Sequence, residues 1–224
     1  MGTVIFESRD SNTLKPAELD VLGQVLCAAG IGIPDSELER QVEMFPLVVF
    51  ATKDEEVQAF LFGSLERVGG TPCVLWGLAA ARPSRRTGPS LKGLIVELYR
   101  RAAISFPDED VVVGGRFAHP AGYQLLSPLR EVVPRPGYKA TGEERAWGRR
   151  LAKRFGCDSR FDDKTFIVSC NGSPEPRFDP GASKTAPKPA VVELMAKVDP
   201  SKGDAMVAFG WAMTEALTGK LAKS

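Results

Sequence analysis

Nine consecutive residues near the middle of the chain, Cys73-Val-Leu-Trp-Gly-Leu-Ala-Ala-Ala81, carry no charge and stop abruptly at Arg82. The run is too short to span a membrane, and a half-exposed strand would alternate polar and apolar residues. It reads instead as part of a strand, Thr71–Ala81, buried on both faces. The loop that follows, Arg82-Pro-Ser-Arg-Arg-Thr-Gly-Pro-Ser90, is basic and broken by Pro83 and Pro89. Gly88 can take backbone conformations closed to other residues. Leu91, Leu94, Ile95, Leu98 and Ala102 then recur at helical spacing, with Ser90 placed to cap that helix. A second apolar strand, Val111–Gly115, leads into His119-Pro-Ala-Gly-Tyr123, where Pro120 suits a first helical turn.

The segments before this block set the fold class. Val4–Phe6 can open a sheet. Leu14, Ala17, Val21, Val25 and Ala28 line one face of a helix that Gly30 ends, and Asp35–Val42 reads as a second, shorter helix. Leu47–Thr52 and Val57–Arg67 read as strands joined by the turn Lys53–Glu56, and Gly69-Gly70 marks a hairpin into Thr71–Ala81. Two hairpins ahead of the glycine-containing loop argue against a doubly wound nucleotide-binding fold. That fold would place the loop after an early parallel strand.

Arg82, Arg85 and Arg86 stand just before a helix start, where free backbone N–H groups and the positive helix end favour a phosphate or pyrophosphate. The other reading of the same residues is a solvated basic turn.

Strand, basic glycine loop and helix resemble the central motif of the GNAT superfamily of acyl-CoA-dependent N-acetyltransferases. The family pattern Arg/Gln-x-x-Gly-x-Gly/Ala is met as Arg85-x-x-Gly88-x-Ser90; Ser90 replaces a Gly or Ala, and Pro89 contributes no N–H. A second likeness lies in Arg116-Phe-Ala-His-Pro-Ala-Gly-Tyr123, similar to the family's Asn-Pro-x-x-Tyr with His119 in the Asn position. Together they cover roughly Leu14 to Gly137. The resemblance implies a mixed, largely antiparallel α/β (α+β) sheet flanked by helices and opened between the strands ending near Ala81 and Gly115. It implies coenzyme A pyrophosphate on Arg85, Arg86, Thr87, Gly88 and Ser90. Trp76, Leu78, Ala79 and Ala80 would form the strand whose backbone, after a bulge, meets the pantetheine arm and polarises the thioester. Small alanines there permit close approach; they are also ordinary buried strand residues.

The same resemblance makes Tyr123 the proton donor to the leaving thiolate, against the plainer role of a boundary tyrosine in a core hydrogen bond. The general base is open. The central strand lacks the family's usual glutamate; Glu66 on the preceding strand, Glu97 on the motif helix and His119 remain, each with a structural alternative.

Composition narrows the partners. A net charge of +1 over 224 residues, with a single histidine, gives no concentrated basic field for nucleic acid. No apolar run is long enough for a membrane helix or resembles a signal peptide, so a cytoplasmic location is expected. Four scattered cysteines without a C-x-x-C pair give no reason to expect a metal site.

Beyond Pro136 the pattern loosens. Thr141-x-x-Glu144 has capping-box spacing ahead of a helix marked by Trp147, Leu151 and Phe155, and Lys164–Ser169 reads as a strand. The expected organisation is an acyltransferase domain over 1–171, a proline-rich linker over 172–190 and a helical C-terminal extension over 191–224. In that extension Met206, Phe209, Met213, Leu217 and Leu221 would line one side of a helix over Asp204–Leu221. It would cap the domain or join a homodimer.

The function expected is N-acyl transfer, acetyl from acetyl-CoA, to the amine of a small molecule. The alternatives are a GNAT-like domain that binds acyl-CoA or another ligand without catalysis, and a scaffold assembling through its terminal helix.

Overall fold

The computed structural model describes residues 2–84, 87–170 and 186–219. The proline-rich stretch and the Arg85–Arg86 pair lie largely or wholly outside these residues.

A single mixed sheet organises the chain. Strand β1 (Val4–Asp10) pairs antiparallel with β2 (Leu47–Lys53) after two helices, α1 (Pro16–Ala28) and α2 (Asp35–Met44). β2 pairs with β3 (Glu56–Val68), and β3 with β4 (Thr71–Ala81), both antiparallel. The turn Gly69-Gly70 takes φ of 61° and 87°, the left-handed pair that a tight hairpin needs. Every β4 residue after Thr71 is buried, as a charge-free run between two covered faces should be.

Helix α3 (Thr87–Ser105) covers one face and returns the chain to β5 (Val111–Phe117), which lies parallel to β4. Leu91, Leu94, Leu98 and Ala102 form its buried stripe, as the spacing predicts. The helix starts three residues ahead of Ser90, so Ser90 sits inside the first turns and not at the cap. Pro89 falls third, where a missing N–H costs nothing. A short helix α4 (Pro120–Tyr123) and a small strand β6 (Arg130–Val133) follow, then α5 (Gly142–Arg154), whose Thr141–Glu144 capping box is formed.

The C-terminal region corrects the expected helical extension. Residues Ala205–Ala212 are not a helix but strand β9, inserted between β5 and the hairpin of β7 (Phe161–Asp162) and β8 (Ile167–Val168). Met206 and Phe209 do stand three apart, but the segment Ala-Met-Val-Ala-Phe-Gly-Trp-Ala is as free of charge as Cys73–Ala81, and that run length marks a buried strand. Asp204 anchors its start, accepting from the Cys170 N–H at 2.9 Å. Among the described residues the region's α-helical part is α6 (Pro189–Leu194) and α7 (Thr214–Gly219), with Leu217 buried. Of the expected stripe, Met206 and Phe209 are buried in the sheet and Leu217 on α7, while Leu221 lies outside the described residues.

Candidate active site

The parallel pairing of β4 and β5 runs from Cys73↔Val112 to Trp76↔Gly115 and stops there. β4 continues to Ala81 and β5 to Phe117 with no register between them, so the strands part toward the end where α3 and α4 begin. On the other side of β4 the register with β3 shifts between Leu61↔Ala79 and Gly63↔Trp76, leaving Gly77 and Leu78 opposite the single residue Phe62. This is a β-bulge, and it re-aims backbone groups at the point of parting. Both features, splay and bulge, are those the GNAT resemblance leads one to expect, in a largely antiparallel open sheet with flanking helices.

Gly77 and Leu78 are held from the α2 side. Gln41 is fully buried, and its Oε1 accepts from the Leu78 N–H at 3.0 Å. A Cβ on Gly77 would come within 2.8 Å of the Phe45 ring and 3.0 Å of that same oxygen, so only glycine lets α2 approach. Phe45 is fixed in turn: the buried Ser11 hydroxyl donates to its carbonyl at 2.6 Å, and Arg154 lies over its ring. Sequence reasoning missed Gln41; a lone glutamine at one turn of a short amphipathic helix carries no local signal of burial.

The predicted nucleotide end of the site is partly visible. Arg85 and Arg86 lie outside the described residues. Thr87 is buried and closes the turn: its hydroxyl accepts from the Ser84 N–H at 2.9 Å and lies 3.0 Å from the Arg82 carbonyl. Arg82 donates to the Val57 carbonyl at 3.1 Å, so it secures the strand end. A cavity of about 330 Å³ begins at Gly88 and runs between α3 and the α4 segment. Lys92, Val96 and Tyr99 line one wall, Ala121, Gln124 and Leu125 the other. The α3 residues 88, 92, 96 and 99 follow one helix face. Lys92, exposed at this cavity, is a cation that the motif reading did not single out.

The predicted proton-transfer residues are placed as follows. Tyr123 is 5% exposed, stacks edge-on against Phe117, and donates its hydroxyl to the Pro134 carbonyl. Burial pushes the phenol up to about 12, against the lowering influence of Arg135. Phe117 in turn meets Trp76 edge-on, so Trp76, Phe117 and Tyr123 form one aromatic chain from β4 to α4. His119 precedes α4, and its carbonyl accepts from the Gly122 and Tyr123 N–H groups. Glu66 stands opposite Cys73, at the closed end of the β4–β5 pair, and binds Arg154 at 2.7 Å and the Ser64 hydroxyl at 2.6 Å. It ties α5 to β3. Glu97 is held by Arg100 and Ser8 on α3's β1 side. A further charged group, Arg116, is buried on β5 beside the parting of the strands and over the Phe155 ring.

No family model matches the chain, and no curated protein does. Among solved structures it is similar to an aminoglycoside 6'-acetyltransferase type Ii, at 19% identity over 58% of this chain and 87% of that one, with a TM-score of 0.44. It is similar to Escherichia coli ElaA at 16% identity over 62% and 95% of the two chains, with a TM-score of 0.42. A GNAT family acetyltransferase from Brucella melitensis, in complex with acetyl-CoA, matches at 19% identity over 49% and 75%, with a TM-score of 0.35.

Proposed function

We propose that the chain is an acyl-CoA-dependent N-acyltransferase, with acetyl-CoA as donor and the amine of a small molecule as acceptor. The observation that carries this reading is the break in β4–β5 pairing after Trp76↔Gly115, next to a bulge in β4 and directly upstream of a basic loop that opens a helix. An extended ligand arm can lie in such a gap only by bonding to strand backbone that the sheet itself leaves unpaired.

In this reading Gly88, Lys92 and the cavity between α3 and α4 hold the pyrophosphate end; Thr87 and Ser90, and Arg85 and Arg86 outside the described residues, keep the pyrophosphate role that the resemblance implies. Gly88 suits that role physically, since a side chain there would meet nothing within 4 Å and its backbone is open to approach. Backbone groups of Leu78, Ala79 and Ala80 face the thioester, and Trp76 buttresses them. Tyr123 supplies the proton that the departing thiolate takes up. His119 is the better base of the two predicted, because Glu66 is committed to Arg154 at the closed end. The protein would work in the cytoplasm, where its four free cysteines stay reduced.

A second reading, ligand binding without transfer, is favoured by one observation: the Leu78 N–H, aimed by the bulge, already has Gln41 as its acceptor. Calorimetry with acetyl-CoA and coenzyme A tests both readings, and thiol release over a panel of amines separates them. Binding with no release on any amine would favour the second; no binding of either would remove both.

A further inference from the structure

Beyond the gap between β4 and β5, on the far side of Pro134, a second cavity is lined by cations. It measures about 460 Å³, and Lys139, Arg145 and Lys164 line it with Pro134, Tyr138 and Phe166. The cations come from three separate segments: the loop after β6, the second turn of α5, and the turn joining β7 to β8. Among the described residues, no carboxylate lines it.

The nearby acids are committed elsewhere. Glu144 accepts from the Thr141 N–H at 2.6 Å and the Tyr138 hydroxyl at 3.0 Å, and faces Arg135 at 3.9 Å. Asp163 pairs with Arg149. Asp162 closes the β7–β8 turn, accepting from the Lys164 N–H and the Thr165 hydroxyl at 2.9 Å each; of these acids, its field reaches Lys164. Among the described residues, the side chains of Lys139, Arg145 and Lys164 make no ion pair within 4.0 Å. Three converging cations around a concavity raise the local anion concentration, and a guanidinium among them matches a carboxylate or phosphate with two parallel donors.

The cavity also adjoins the proposed chemistry. Pro134 forms part of its wall, and the Pro134 carbonyl is the acceptor of the Tyr123 hydroxyl. Phe166, on the sheet side, accepts from the Val207 N–H at 2.9 Å, and Val207 stands opposite Arg116 where β5 has left β4. Phe166 is 1% exposed, which fixes the sheet-side wall, and the more exposed Tyr138 carries Arg135 on its ring.

We propose that this cavity holds the anionic end of the acceptor, a small primary amine that also bears a carboxylate or a phosphate. The acceptor role rests on the acyl-transfer reading; the anion site does not.

Two measurements on the full chain test it. Inorganic phosphate and succinate are titrated while backbone amide shifts are followed, for the wild type and for a variant carrying Arg145→Glu and Lys164→Glu. Saturable binding, weakened about tenfold or more in the variant, is expected. No saturation by either ion, or equal binding by the variant, overturns the site; native amide-shift dispersion in the double variant excludes misfolding as the cause of a loss. Thiol release from acetyl-CoA is then compared for ethanolamine, phosphoethanolamine and β-alanine. One of the two anionic amines should exceed ethanolamine in kcat/KM by about tenfold or more, and that ratio should collapse in the double variant. Equal kcat/KM for all three overturns the acceptor role while leaving transfer established. Anion binding without turnover of any amine overturns the acceptor role and the transfer reading together.

Discussion

The Gln41 side chain and the Leu78 backbone share one hydrogen bond, 3.0 Å long, across the bulge of β4. A backbone N–H has a single direction, so whatever accepts from Leu78 must take the place of that Gln41 oxygen. A buried carboxamide on α2 thus stands against the group that an acyl carbonyl would need. Gln41→Leu leaves the Leu78 N–H without its partner, and stability should fall by about 1–3 kcal/mol in urea unfolding. The ratio of acetyl-CoA to coenzyme A affinity should rise, since only the acylated ligand brings a carbonyl to the vacated donor. An unchanged ratio in a folded variant would show that the acyl group goes elsewhere.

Gly77→Ala tests the same junction from the backbone side. Its new Cβ would meet the ring of the fully buried Phe45 at 2.8 Å, and the Phe45 carbonyl is held by the buried Ser11 hydroxyl. Destabilisation of about 1–3 kcal/mol is expected, read as a lower midpoint at constant m-value.

Tyr123→Phe removes one hydroxyl and leaves the Pro134 carbonyl without its donor. The expected cost is about 1–2 kcal/mol of stability. If the phenol delivers a proton to the leaving thiolate, kcat should fall about 100-fold while coenzyme A affinity holds. Loss of stability alone, with kcat intact, would leave Tyr123 as a core hydrogen-bond donor.

Glu66→Gln separates a base from a strut. The carboxylate binds Arg154, which also donates to the Met44 carbonyl at 2.8 Å, so the pair links β3, α5 and the end of α2. Stability should drop by about 1 kcal/mol, because both side chains are about a quarter exposed and solvent screens the pair. Turnover per folded molecule should be unaltered. A loss of kcat of about 100-fold or more would restore Glu66 as the general base.

Acid should unfold the protein partly through Glu97. Burial opposes its ionisation, but the bonds from Arg100 and Ser8 outweigh that and hold the carboxyl below its usual 4.5. A folded-state value below the unfolded one means the stabilisation is full above pH 4.5 and fades as pH falls through the lowered value. Glu97→Gln should therefore flatten the slope of stability against pH below that point, and leave the slope near neutrality alone.

Much of this architecture is readable from the chain because its signals are local. The Gly69-Gly70 turn, the charge-free Cys73–Ala81 and the Thr141–Glu144 box each specify their element within a few residues. The opening between the strands ending near Ala81 and Gly115 is expected from the family resemblance, and the pairing stops at Trp76↔Gly115. What failed were readings that depend on long-range pairing. Ala205–Ala212 has a helical spacing of large residues and a strand's lack of charge, and its partner β5 decides between them. Glu66 reads as a lone acid near a hairpin end until Arg154, far along the chain, comes to meet it. Gln41 is polar and sits among charged neighbours, and only the bulge it serves explains its burial.

The insertion of β9 has a consequence for how the chain is made. β5 cannot be covered on its outer edge when it first emerges, because β9, its neighbour on that side, is synthesised much later than β6, α5 and the β7–β8 hairpin. Until then Val111–Phe117 presents a row of unsatisfied N–H and C=O groups on an apolar strand, the kind of edge that recruits other chains. A nascent chain halted before Ala205 would carry β1–β4 and α3 in place and still be prone to associate through that edge. Completion of the sheet, and with it of the walls around Phe166 and Arg116, is thus a late event in the life of each molecule.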